Sequence, residues 1–272
     1  MSSAPDARSA FIDGIGFWAS RMPGWESAAG ILRGEVPPPA EPARRPAPSL
    51  LPPTERRRAP DTVAISLEVA ARACESAAVD ASRIASVFAS THGDLAISDY
   101  MCQTLAETPT LTSPTRFHNS VHNAAAGYWT IATGCYAPYT AISAFNDTFG
   151  EGLLEALTQV ATDGAPVLYV AYDIEARGPM ATIVPSRGLL AAALVLSPER
   201  TAASRARLAW RVRTGQPEEV TPARPASLAL VDGNCMAPCL PLFEALAAGR
   251  GLVEVSLASR LLLALDLMPA GS

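Results

Sequence analysis

The chain has 272 residues, a formal net charge of −5 and 49% hydrophobic residues, which is enough apolar material to bury a folded core. It contains no lysine, so all 21 of its basic residues are arginines. Every reaction that needs a side-chain amine is therefore excluded: a Schiff base, a pyridoxal phosphate linkage, a biotin or lipoyl attachment and a P-loop lysine.

The composition also bears on partners and compartment. An acidic balance without a dense basic run argues against nucleic-acid binding. No segment approaches the roughly 18 uninterrupted apolar residues of a membrane span, and the N-terminal residues, with Asp6 and Arg8, lack the apolar stretch of a signal peptide. We therefore expect no membrane span and a cytoplasmic protein. The five cysteines are odd in number and mostly lie in apolar runs, which favours reduced thiols over a disulfide framework.

Local patterns predict strands alternating with helices along the chain. The predicted strands are 11–18, 84–90, 139–145, 166–172, 189–196 and 207–213, the last as an exposed edge, with one or two more in 252–267. The predicted helices are 25–34, 61–78, 97–105, 119–133, 146–161 and 240–248, with Asp61 as the N-cap of the second. Residues 36–53 are rich in proline and predict a connection across the surface.

Two features of the strands predict how they pack. Gly14 and Gly16 lie in the first strand, where the backbone must turn or closely approach another element. The runs 166–172 and 189–196 are apolar without alternation, which is typical of strands covered on both faces. We therefore predict an α/β fold in which a mixed, mainly parallel sheet is sandwiched between helices.

A pair of histidines is the first candidate site. His118 and His122 are four residues apart and are predicted to lie on one face of a helix, a spacing that can hold a metal ion. The residues that could supply a third ligand are His92, Asp94 and Cys135. A pair without an intervening glutamate is a weak metal signal, and we expect no metal site.

Two other readings use the same histidines. In the first, they form a hydrogen-bonded polar patch with Asn119 and Asn123, buried or at an interface. In the second, one of them serves as the base for a nucleophilic Cys135. That cysteine lies in a Gly-Cys-Tyr-Ala-Pro turn and not at a helix N-terminus, where its pKa would be lowered. We favour the interpretation that Cys135 is a small apolar filler.

Residues 139–152, Tyr-Thr-Ala-Ile-Ser-Ala-Phe-Asn-Asp-Thr-Phe-Gly-Glu-Gly, resemble the nucleophile region of the β-ketoacyl synthases, which have the thiolase fold. In that family a strand ends in a small residue, and the catalytic cysteine that follows opens a long helix. Residues 113–123 and 50–57 are similar to segments of short ketosynthase-like proteins from aryl polyene and xanthomonadin pigment pathways. The resemblance implies a thiolase-like half with the order βαβαβαββ over residues 1–199. Residues 200–272 would be a truncated C-terminal extension that packs on the same sheet.

The chain departs from the family pattern where chemistry is concerned. Phe145 occupies the position of the nucleophile, and neither Asn146 nor Asp147 can replace a thiolate in acyl transfer. The family's two catalytic histidines and its lysine lie downstream of the cysteine, but no histidine follows Phe145 and lysine is absent. The resemblance therefore implies a chain with no catalytic residue and no cofactor.

A non-catalytic ketosynthase-like chain implies a catalytic partner. We predict a subunit similar to a chain-length factor, which forms a heterodimer with an active β-ketoacyl synthase along 139–145 and meets the acyl carrier protein only indirectly. The residues expected at the acyl tunnel or the interface are Phe145, Asn146, Asp147, His118, Asn119, His122 and Asn123. An open alternative is that Phe145 only fills the core. The competing function is a stand-alone acyltransferase or hydrolase that uses Cys135 with His118 or His122.

Overall fold

The computed structural model describes residues 8–271, and the strands of that range form one nine-stranded mixed sheet. The strands are β1 (Arg8–Ala19), β2 (Met22–Pro23), β3 (Ala85–Ala89), β4 (Tyr139–Ile142), β5 (Val167–Asp173), β6 (Leu190–Ser197), β7 (Ala206–Thr214), β8 (Gly251–Leu257) and β9 (Leu261–Pro269). Their order across the sheet is β4-β3-β5-β6-β1-β7-β9-β8, with β2 paired to β1. The helices are α1 (Trp25–Leu32), α2 (Pro53–Arg58), α3 (Asp61–Ala77), α4 (Leu95–Glu107), α5 (Pro114–Ser120), α6 (Ala124–Thr133), α7 (Thr148–Asp163), α8 (Pro225–Leu228) and α9 (Leu240–Ala248).

Helices cover both faces of the sheet, which confirms the α/β class. Alternate residues of β6 face opposite layers: Ala191, Ala193 and Val195 belong to the buried cluster that includes α3, whereas Leu194 and Leu196 belong to the one that includes α7 and α9. Since both sets are buried, the sequence of β6 shows no polar alternation. The layers are therefore helix, sheet and helix.

The sheet is mixed, as predicted, but the expectation that it is mainly parallel is wrong. Two pairings are parallel, those of β3 with β4 and with β5, and the other six pairings in the described residues are antiparallel. An apolar run indicates that both faces of a strand are covered, but it does not determine the direction of the neighbouring strand. The predicted edge position of 207–213 is also wrong, because β7 lies between β1 and β9. Its residues alternate between apolar and polar because only one face of the strand is buried.

The backbone of β1 lies directly against α3. A Cβ atom added at Gly14 would stand 2.0 Å from the carbonyl oxygen of Ala73, and one added at Gly16 would stand 2.0 Å from that of Val69. Both distances are far below van der Waals contact, so only glycine permits this approach. The prediction of a close backbone approach at these glycines is confirmed.

The chain beyond Glu199 extends the same sheet through β7, β9 and β8. A buried carboxylate ties the start of this region to β1. Asp13 lies at a bulge of β1 and accepts hydrogen bonds from the hydroxyls of Ser197 at 2.7 Å, Thr201 at 2.9 Å and Ser204 at 2.6 Å. These donors offset the cost of burying a carboxylate inside an apolar strand.

Two local predictions need correction. The helix expected over 119–133 is divided, because Val121 is extended with φ −74° and ψ 141° and separates α5 from α6. Asp61 is not an N-cap: it is the first residue of α3, and its carboxylate pairs with Arg45 at 3.2 Å. Within residues 8–271, no helix combines the length and apolar character needed to cross a lipid bilayer.

Replacing Gly16 with alanine tests the contact between β1 and α3. Because the added methyl group would meet the Val69 carbonyl oxygen, Gly16→Ala should lower the free energy of unfolding by about 1–3 kcal/mol in urea titrations. Gly127→Ala is the matched control. Gly127 lies inside α6 with no heavy atom within 4 Å of an added Cβ, so alanine should raise stability by up to about 1 kcal/mol. Equal effects at both positions would contradict the packing described.

Candidate functional site

Three parallel strands bring their carboxyl ends to one edge of the sheet. β4, β3 and β5 end at Ile142, Ala89 and Asp173, and they lie side by side. The carboxyl ends of parallel strands are the usual place for ligands in α/β folds. Phe145 follows β4 at this edge, and the residues just after β3 hydrogen-bond to Asp173 at the end of β5 and to Ser143 just after β4.

Phe145 stands in a strained turn with its ring turned outward. The strand predicted over 139–145 ends at Ile142, and a short 3-10 turn, Phe145–Asp147, leads into α7. Phe145 has φ +54°, in the left-handed region that is unfavourable for residues other than glycine. The residue is 51% exposed. The alternative that Phe145 fills the core is therefore wrong for this chain.

The turn is held by a buried hydroxyl. Thr148, the first residue of α7, accepts a hydrogen bond from the Ala144 amide at 3.0 Å and donates one to the Phe145 carbonyl oxygen at 2.7 Å. Because Thr148 is only 1% exposed, these bonds are shielded from water. The hydroxyl thus closes the backbone around Phe145 and fixes the direction of its side chain.

The neighbours of Phe145 anchor the turn to the C-terminal part of the sheet. The Asp147 carboxylate accepts a hydrogen bond from the Ser256 hydroxyl of β8 at 2.6 Å. Asn146 lines a small cavity of about 270 Å³ between α7, β8 and the residues before α9. Glu151, in the first turn of α7, accepts a bond from the Ala258 amide. The hydrogen bonds of Asp147 and Glu151 thus tie the turn and the start of α7 to the C-terminal part of the sheet, whereas Asn146 lines the cavity.

A second group of residues surrounds a buried aspartate. Asp173 is fully buried at the end of β5, and its carboxylate accepts hydrogen bonds from the Ser90 hydroxyl at 2.8 Å and the Thr91 amide at 3.1 Å. Burial raises the pKa of Asp173, while the charge of His92 and these hydrogen bonds oppose the rise. One ring nitrogen of His122, Nε2, lies 2.7 Å from the Ser90 carbonyl oxygen. Asp173 is not among the residues predicted from the sequence, although a carboxylate that ends an apolar strand is a usable signal.

The remaining predicted site residues lie apart from this edge. His118 packs edge-on against Tyr128 at 5.5 Å and lines a groove of about 560 Å³ between residues 50–58 and α6. Asn119 is buried, and its Oδ1 has no hydrogen-bond partner. The Asn123 amide donates to the Tyr139 hydroxyl at 3.0 Å, at the start of β4.

The two histidines therefore do not share a helix face. His118 belongs to α5, whereas His122 lies in the break before α6 and bonds to the loop after β3. The helix that was expected to place them together ends at Ser120. Among residues 8–271, no group of three or more histidine, cysteine, aspartate or glutamate side chains is arranged to hold a metal ion.

Cys135 and His122 lie at opposite ends of β3, so His122 cannot act as a base for the Cys135 thiol. Its thiol contacts the Ile84 carbonyl oxygen at 3.5 Å, before β3 begins, whereas His122 contacts Ser90, after β3 ends. At a rise of about 3.3 Å per residue, the two contact points are separated by roughly 20 Å. The ring of His118 packs on Tyr128 instead of a thiol. The described geometry therefore brings no histidine of this pair to Cys135.

The site and the fold define a ketosynthase-like chain. A family model described as the β-ketoacyl synthase N-terminal domain matches residues 27–236, and the chain belongs to this family. The fold is the thiolase-like one of solved ketosynthases. A search of curated proteins found no match.

Solved structures match the chain almost end to end. The ketosynthase ApeO in complex with its chain length factor ApeC from Xenorhabdus doucetiae aligns with a TM-score of 0.70 and 21% identity, covering 95% of this chain and 99% of that chain. A type II acyl-carrier protein in complex with its hexaketide-bound ketosynthase, AntDE:AntF, gives 0.72 at 12% identity, covering 97% and 100%. The ishigamide ketosynthase/chain length factor gives 0.65 at 14%, covering 96% and 99%.

Replacing Phe145 with smaller residues measures the strain in the turn. Because φ is +54° at this position, Phe145→Gly should be about 1–2 kcal/mol more stable than Phe145→Ala in urea unfolding. At the preceding residue, where φ is −140°, Ala144→Gly should instead lose stability. If the alanine variant of Phe145 were as stable as the glycine variant, the left-handed turn would not be the native conformation.

Proposed function

We propose that this chain is a non-catalytic, chain-length-factor-like subunit that pairs with an active β-ketoacyl synthase and shapes its acyl tunnel in polyketide or aryl polyene pigment biosynthesis. The observation that carries the proposal is Phe145, which stands where the family has its nucleophile and presents an exposed ring at the carboxyl edge of the sheet. An aromatic ring there can block or line a passage for an acyl chain, but it cannot form a thioester.

Other groups at this edge do not replace the missing nucleophile. Cys235 follows Asn234, which bonds to the Asp173 backbone, but its thiol donates to the Pro185 carbonyl oxygen at 3.2 Å. Burial and the charge of Asp173 raise the pKa of Cys235, which disfavours the reactive thiolate. Cys135 lies at the opposite end of β3. We therefore assign the chemistry to a partner.

The free edge of β4 is the surface we assign to that partner. β4 lies at one end of the strand order and pairs with β3 alone among the described residues. The carbonyl oxygens of Pro138 and Ile142 accept hydrogen bonds from the amides of Ser86, in β3, and Ser90, just after it. The alternation of a strand therefore turns the amide and carbonyl groups of Tyr139 and Ala141 outward. A partner strand can pair with these groups, and an unpaired edge is otherwise prone to aggregation.

Exposed apolar side chains are concentrated in the part of the chain that contains β4. Ten of the fourteen large hydrophobic residues that are exposed in the described part of the chain belong to the stretch between positions 105 and 183. They are Leu105, Leu111, Phe117, Val121, Ile131, Tyr136, Tyr139, Phe145, Met180 and Ile183. Such a concentration is typical of a surface that a partner protein covers.

The class of partner and the pathway are proposed on separate grounds. Two of the similar structures are complexes of a ketosynthase with a chain length factor, and a third contains an acyl-carrier protein with its ketosynthase. They support a ketosynthase as the partner here, with the acyl carrier protein meeting that partner. The pigment pathway is proposed from the resemblance of residues 50–57 and 113–123 to segments of proteins from such pathways. Both segments contribute residues to one groove, among them Leu50, Leu51, Thr115 and His118.

A proline in β4 tests the interface. Proline is tolerated where an edge strand turns its amide away from the sheet, so Ala141→Pro should fold but lose a hydrogen bond to the partner. The affinity for the co-expressed ketosynthase should fall about tenfold, measured by calorimetry. Thr140→Pro, whose amide faces β3, should instead destabilise the isolated chain. An Ala141→Pro heterodimer of unchanged affinity would place the interface elsewhere, and a chain that binds no ketosynthase would overturn the proposed function.

A smaller side chain at position 145 tests the tunnel. In the reconstituted heterodimer, Phe145→Ala should lengthen or broaden the polyketide products, because the ring no longer limits extension, and Phe145→Trp should shorten them. Product lengths would be read by mass spectrometry. Leu252→Ala, at an exposed residue of β8 on the other end of the sheet, is the control and should leave products unchanged. Unchanged products in both Phe145 variants would remove the tunnel role from this residue.

A further inference from the structure

Asp173 is a buried charged residue to which the proposed function gives no role. It is 0% exposed, and its carboxylate serves as acceptor for the Ser90 hydroxyl and the Thr91 amide, which follow β3. Its backbone carbonyl oxygen accepts a hydrogen bond from the Asn234 amide at 3.0 Å, and the same amide bonds to the Arg187 carbonyl oxygen at 2.9 Å. The backbone of Asp173 is thus bonded to Asn234, while its side chain is bonded to the Ser90–Thr91 loop.

That loop contacts the strand that leads to Phe145. The Thr91 carbonyl oxygen accepts a hydrogen bond from the Ser143 hydroxyl at 2.8 Å. Ser143 is two residues before Phe145 and follows the last residue of β4. The turn is therefore anchored on both sides: by Ser143 through Thr91 on one side, and by Thr148 on the other.

The loop depends on Asp173 for its position. Two of its side-chain atoms, Thr91 Oγ1 and His92 Nε2, are buried without any hydrogen-bond partner. Ser90 uses its hydroxyl to donate to Asp173 and to accept from the Gly93 amide at 2.9 Å. Because buried polar groups are costly when unpaired, a loop with two such atoms is held by the bonds it does make. The Ser90 hydroxyl and the Thr91 amide make theirs to the Asp173 carboxylate, beside the contact of the Ser90 carbonyl oxygen with His122.

We propose that Asp173 is a specificity-determining positioning residue, which sets where the Phe145 ring stands through Thr91 and Ser143 and so affects the length of acyl chain accepted. This inference rests on the proposed function of Phe145. In this proposal Asp173 does not touch the acyl chain, and its effect passes through the hydrogen bond that the Ser143 hydroxyl donates to the Thr91 carbonyl oxygen.

The Ser143 hydroxyl allows a test that leaves the buried carboxylate in place. Ser143→Ala removes one hydrogen bond of the series, and exchange of the amides from Ala144 to Thr148 should become about fivefold faster, the equivalent of one hydrogen bond of about 1 kcal/mol. Ser143→Thr keeps the hydroxyl and should restore slow exchange. In the heterodimer, Ser143→Ala should broaden product length in the same direction as Phe145→Ala, and Ser143→Thr should not.

Double substitutions show whether the effect passes through Phe145. Residues that act on one another are non-additive, so Ser143→Ala combined with Phe145→Ala should give the products of Phe145→Ala alone. Asp173→Asn, which keeps the size of the side chain, should likewise broaden products when Phe145 is present and add nothing when it is absent. Its heterodimer yield and melting temperature would be compared with those of Ser143→Ala, which leaves Asp173 in place.

The outcomes separate the two proposals. If Phe145→Ala shifts the products but Ser143→Ala and Asp173→Asn leave both products and amide exchange unchanged, the positioning role is overturned and the tunnel role stands. Additive effects in the double variants would also overturn it, because Asp173 would then act by another route. If Phe145→Ala leaves the products unchanged, the proposed tunnel role fails, and a role for Asp173 in chain length fails with it.

Discussion

The close contact between β1 and α3 organises the molecule. Because Gly14 and Gly16 carry no side chain, the backbone of β1 reaches the carbonyl groups of α3. β1 thereby becomes a strand from which the sheet extends in both directions: through β6, β5, β3 and β4 on one side, and through β7, β9 and β8 on the other. The first side carries the parallel strands and the candidate site. The second side contacts the start of α7, where Ser256 of β8 bonds to Asp147 and Ala258 bonds to Glu151.

The candidate site places an aromatic side chain in a strained turn at the carboxyl edge of the sheet. A left-handed conformation at a residue other than glycine costs about 1–2 kcal/mol and persists only where the surroundings impose it. Here the residue in that conformation is Phe145, and hydrogen bonds of Ser143 and Thr148 lie on either side of it. A turn kept under strain to display an apolar ring is consistent with a steric role toward an acyl chain. The same turn with a thiol would be consistent with catalysis.

Much of the fold follows from local patterns. The helix predicted over 240–248 has the bounds of α9, and the run 189–196 differs from β6 by one residue at each end. Strand direction could not be predicted, since covered faces look alike beside parallel and antiparallel neighbours. The break at Val121 was missed because no proline or glycine marks it and the chain on both sides suits a helix.

The site was predicted in part. Phe145 was found through its place in a family pattern, and its exposure and φ value are properties that only coordinates supply. Asp173 was missed because its hydroxyl and amide partners, Ser90 and Thr91, are more than eighty positions away in the sequence. The absence of lysine, first a limit on cofactor chemistry, gains a second meaning beside Phe145. Together with the position that the family resemblance gives to Phe145, the missing lysine supports the proposal that the chain is non-catalytic.

The central claim is that this chain supports acyl chemistry without carrying the acyl group. It is tested most directly by purifying the heterodimer with its cognate β-ketoacyl synthase, loading it with an acyl thioester of the acyl carrier protein, and measuring the intact mass of each chain. The account predicts an added acyl mass on the ketosynthase and none on this chain. An acyl group on this chain, at Cys135 or any other residue, would contradict it.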